Sequence, residues 1–230
     1  MKFQKQKIIS TLYSSYPVGI SEVDDEYRNS HEYKALEKRI TDQIMFPFWE
    51  PIIQKASTSF PNKIRDLTFL NKHNPTIVNV NHPCCVFSFD TDGIHDFFYE
   101  AIFYISVIDD FYCFSIKKLP ANYLEEIQTF FEKYKNAFNH LNTFERHDIL
   151  NEKMREELTI KTKKIWNTSF PGMENEIKTL SNLIEKNSSA KLFDINHLFE
   201  IVPNIEALQG GGLNNSTFFN CLFGNIVDDK

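Results

Sequence analysis

No run in this chain reaches the roughly 18 consecutive apolar residues that a membrane-spanning helix needs, so a transmembrane protein is not expected. Residues 1–20 mix Lys, Gln and Ser with scattered apolar positions and hold no continuous apolar h-region, which argues against a secretory leader. Cysteine is scarce. Cys84, Cys85, Cys113 and Cys221 are the four in 230 residues, two of them adjacent and three inside Phe-rich runs. That pattern does not make a disulfide framework and reads instead as small buried side chains kept reduced, which predicts a cytoplasmic protein. Long blocks of one charge sign are missing too: the formal net charge of −6 comes from interspersed Asp, Glu, Lys and Arg. A broad basic footprint for nucleic acid or for an anionic membrane surface is thereby disfavoured, while a basic partner protein remains compatible. No internal repeat is visible.

What is present is core material. A hydrophobic share of 42% with 22 Phe is enough to bury a self-sufficient core, and the length predicts a single α+β domain over 1–230. The centre of that domain is legible in the stretch 84–119, where three apolar runs are separated only by short turns bearing Asp and Gly. Parallel neighbours need a crossover of about a dozen or more residues, so these runs predict an antiparallel meander. Val86, Ser88 and Asp90 alternate with Cys85, Phe87 and Phe89, which predicts one face in the core and one closer to water. Residues 97–108 are apolar on both faces apart from Glu100 and Ser106, as in a central strand, and they form a hairpin with 111–118. Adding 64–72 and 76–80, the expected sheet has about four to five strands within residues 66–118, packed with N-terminal and C-terminal helices.

Helical periodicity supplies those flanks. Phe3 to Tyr13 is helical until Pro17 and Gly19 stop it, and Asn29 with Glu32 has the spacing of a capping box for a helix bearing Tyr33, Leu36, Ile40 and Ile44. Pro47 and Pro51 force a kink or restart that ends near Phe60. Beyond Pro120, Leu124, Ile127, Phe131, Tyr134, Phe138 and Leu141 make an amphipathic stripe. A more charged helix is predicted over 145–166 and another over 174–186, followed by the polar loop KNSSAK. Asn215 or Ser216 is positioned to cap a short helix holding Phe218, Phe219, Leu222 and Phe223.

Chemistry-bearing motifs are few. VFSFDTDGI, an apolar strand followed by D-x-D-G, resembles the first motif of haloacid-dehalogenase-type phosphatases. The resemblance implies a nucleophile at Asp90 and a general acid at Asp92, a metal-binding pair at Asp109 and Asp110, and a second-motif serine at Ser115. It also implies parallel strands separated by helices, whereas only three residues separate Gly93 from the next apolar run at Phe97. Asp90, Asp92 and Asp96 offer oxygen ligands for calcium, but an EF-hand places Glu at the twelfth position and Ala101 stands there. The adjacent Cys84 and Cys85 point to opposite faces of a strand and so do not share a zinc ion with His82 and His95. QGGGLNNS has the glycines of a phosphate loop without the following Lys-Ser or Lys-Thr. No catalytic residue, metal site or cofactor emerges. The acidic turns Asp90, Asp92, Asp96, Asp109 and Asp110 therefore read as a rim for a basic partner protein. That predicts a non-enzymatic binding protein of the inhibitor or immunity type. A metal-dependent hydrolase using the turns at 90–96 and 109–110 is the alternative.

Overall fold

The computed structural model describes residues 4–45, 47–67, 83–91, 97–120, 122–134, 136–137, 149–150, 153, 164–168, 171–207 and 212–224. Its elements in chain order are α1 (Lys5–Tyr13), α2 (Asp25–Asn29), α3 (His31–Met45), α4 (Glu50–Ser59), β1 (Ile64–Asp66), β2 (Cys84–Asp90), β3 (Phe97–Ser106), β4 (Phe111–Pro120), α5 (Tyr123–Tyr134), β5 (Lys164–Trp166), α6 (Glu174–Asn187), β6 (Lys191–Leu192), α7 (Ile195–Leu198) and α8 (Phe218–Phe223). The fold is α+β, with helices before and after a six-stranded sheet of order β1-β2-β3-β4-β5, as the turn chemistry predicts. β1 runs antiparallel to β2, with Ile64 opposite Phe89. The four residues between β3 and β4 leave no room for a parallel crossover. One short departure exists: β6 lies parallel to the start of β4, with Lys191 opposite Phe111.

The residues gather into two compact units. The first comprises Met1–Phe89, Ala101–Ser115 and Trp166–Lys230, the second Asp90–Glu100 and Ile116–Ile165.

In the first unit the sheet is buried on both faces. One core joins Ile8 and Leu12 of α1, Tyr27 of α2, Leu36 and Ile40 of α3 and the aromatics of α8 to Cys84, Val86, Tyr104 and Cys113. On the other face Phe87 stacks on Phe103 with ring centroids 5.1 Å apart, and Phe103 meets Phe114 at 5.3 Å. There Phe60, just past α4, sets its edge on Phe89, α4 packs with α6, and Tyr112 donates to Glu185 of α6. The predicted alternation of β2 is therefore corrected: Cys84 through Phe89 are all buried. The face expected nearer to water is roofed by α8, where the Cys84 thiol donates to the Phe223 carbonyl at 2.9 Å.

Local signals place most helices within a residue or two. α4 restarts with Pro51 in its first turn and ends at Ser59. The cap of α3 is Ser30, whose Oγ accepts from the Tyr33 amide at 3.1 Å. Asn29, the expected cap, closes α2 instead and donates to the Asp25 carbonyl. At α8 the cap falls on Thr217, one residue after Ser216, in a reciprocal capping box with Asn220. The N-terminal segment is tied to the last forty residues by Tyr16, which donates to the Cys221 carbonyl at 2.7 Å, and by Gly19, whose amide meets the Asn204 carbonyl at 2.8 Å. Gly19 has φ +75°, a conformation that suits glycine.

In the second unit, Thr91 and Tyr99 pair reciprocally: the Thr91 amide donates to the Tyr99 carbonyl and the Tyr99 amide to Thr91 Oγ1. α5 buries Phe130 against Tyr134, with centroids 4.8 Å apart. The helix predicted over 145–166 is helical at 149, 150 and 153, but Lys164–Trp166 is strand β5. The predicted strand 76–80, the far end of the α5 stripe at 138–141 and the glycines of QGGGLNNS at 210 and 211 lie outside the described residues.

Candidate functional site

Polar groups gather in the turn Val107–Asp110 between β3 and β4. Ser106 ends β3 and its Oγ accepts from the amides of Ile108 at 3.1 Å and Asp109 at 3.5 Å, a side-chain-stabilised turn of the kind Ser favours. Asp109 Oδ1 accepts from the Asp110 amide at 2.8 Å, and Asp110 Oδ1 from the Ser189 hydroxyl at 2.5 Å. The Asp110 carbonyl takes the Lys191 amide, which ties the turn to the start of β6.

Facing the turn is the C-terminal end of α6. Its last carbonyls are partly satisfied locally, with Ser188 giving both its amide and its hydroxyl to Ile184, so the negative end of the helix dipole faces the same region as the two carboxylates. Between them lies a pocket of about 280 Å³ walled by Asp109, Asp110, Ser106, Gln43, Phe48 and the segment Asn187–Ala190. Among the described residues no cationic side chain lines it. Two cations stand near its walls, Arg39 donating to the Ile108 carbonyl at 2.8 Å and Lys55 to Asn187 Oδ1, and both are spent on neutral acceptors. Gln43 Oε1 is buried without a hydrogen-bond partner, an acceptor that nothing in the described protein satisfies.

Three of the five predicted acidic residues lie among the described residues. Asp109 and Asp110 belong to this pocket. Asp90 ends β2 in the second unit and is half-buried, with the whole of β3 between it and Asp109 in chain order. Asp92 and Asp96 lie outside the described residues. Sequence reasoning missed Gln43, Phe48 and the role of KNSSAK. The one available signal was Ser106, the polar residue that interrupts an otherwise apolar run.

The phosphatase resemblance fails at two points. Its parallel, helix-separated strands are replaced by a tight meander. Ser115, its second-motif serine, is fully buried in β4 with no hydrogen-bond partner, where no phosphate meets it. The cysteines are also sequestered. All four are free and buried, and desolvation pushes the Cys84, Cys113 and Cys221 thiols well above their ordinary range, away from the thiolate that nucleophilic chemistry uses. Among the described residues no three His, Cys, Asp or Glu side chains gather in a metal-holding set, and no helix is long and apolar enough to cross a membrane. Compared with known proteins, the chain matches no family model, no curated protein and no solved structure.

Proposed function

We propose that this chain is a non-enzymatic binding protein of the inhibitor or immunity type, which engages a basic partner protein in the cytoplasm through the acidic β3–β4 turn. The observation that carries this reading is the pocket itself. Asp109 and Asp110 stand in it side by side, each oriented by one neutral donor, and neither makes an ion pair among the described residues. A carboxylate left without a cation at a rim contributes little to folding but speeds encounter with a positively charged surface and fixes its register. The net charge of −6 acts in the same direction, and four buried thiols fit a reducing compartment.

The test is affinity capture from native expression with the wild type and with the Asp109→Asn/Asp110→Asn double variant, each shown by circular dichroism to be folded. The expected result is a basic protein, identified by mass spectrometry, that the wild type retains, that salt releases and that the double variant loses. Equal retention by both proteins overturns the reading. So does a melting temperature that rises strongly with Mg²⁺ or Ca²⁺ and ceases to do so in Asp90→Asn, which is the behaviour of a metal-dependent hydrolase.

A further inference from the structure

We draw no further inference here: the strongest candidate, the exposed apolar surface patch of Phe199 and Ile201 in the segment after α7, where Phe199 packs against Trp166, carries nothing because nothing in the structure shows what covers it.

Discussion

Ser88 and Ser115 show what double-sided burial costs at the scale of single residues. Both side chains are fully buried in β2 and β4, and neither hydroxyl has a hydrogen-bond partner. An unsatisfied buried hydroxyl costs about 1–3 kcal/mol, so removing it relieves a penalty and does not break an interaction. Ser88→Ala and Ser115→Ala are therefore expected to leave stability unchanged or raise it by about 1 kcal/mol in equilibrium urea unfolding. A loss of more than that in either variant would mean that the hydroxyl is satisfied after all. The buried acids give a second prediction. Desolvation raises the thiols of Cys84, Cys113 and Cys221 above their ordinary value near 9 and the phenols of Tyr16, Tyr27 and Tyr112 above 10. In the unfolded chain these groups lose their protons at ordinary pH while the native state keeps them, so the unfolded state binds fewer protons and stability falls as pH rises. The contribution is complete below about pH 8 and declines progressively above about pH 9 for the thiols and about pH 10 for the phenols, at up to about 1.4 kcal/mol per group per pH unit. Urea midpoints between pH 7 and 10.5 should show a plateau and then a decline. A flat profile to pH 10.5 would contradict the burial of these side chains.

At the scale of elements, Asn167 joins two short strands to β4. Its amide donates to the Phe114 carbonyl at 2.9 Å, its Oδ1 accepts from the Phe114 amide at 2.8 Å, and its Nδ2 donates to the Phe193 carbonyl at 2.9 Å. The residue sits at φ +47°, where Asn is tolerated and Ala is strained. Asn167→Ala should cost about 2–4 kcal/mol, from two side-chain hydrogen bonds at about 1 kcal/mol each plus the backbone strain, with Asn167→Gly costing less because glycine carries no strain there. Equal costs for the two variants, by chemical denaturation, would remove the left-handed conformation from the account. The sequence made β3 and β4 legible because tight acidic turns permit only one connection, and it made α4 legible because Pro51 suits a first turn. It misled on β2, since the helix that packs with Cys84 and Val86 begins at Phe218 and no local pattern announces a cover so distant in the chain. It misled also on β5, where a helical reading was extended over Ile165 and Trp166, two residue types that favour strands and that pair here with β4.

The same division holds for the whole molecule. Fold class follows from turn lengths and apolar runs, which are local, and both are written in the chain. The pocket is assembled from α3, the turn beyond β3 and the end of α6, so only half of it, the pair Asp109–Asp110, was visible as a motif. Gln43 carried no sequence signal because it is a polar residue on a helix until tertiary packing buries its carbonyl without a partner. The central claim is that this acidic turn is the contact surface. Its most direct test is hydrogen–deuterium exchange on the chain alone and in complex with the partner that capture identifies. Binding is predicted to slow exchange in peptides covering residues 106–110 and 187–190. Protection confined to other parts of the chain, with these two segments exchanging as fast as in the free protein, would contradict it.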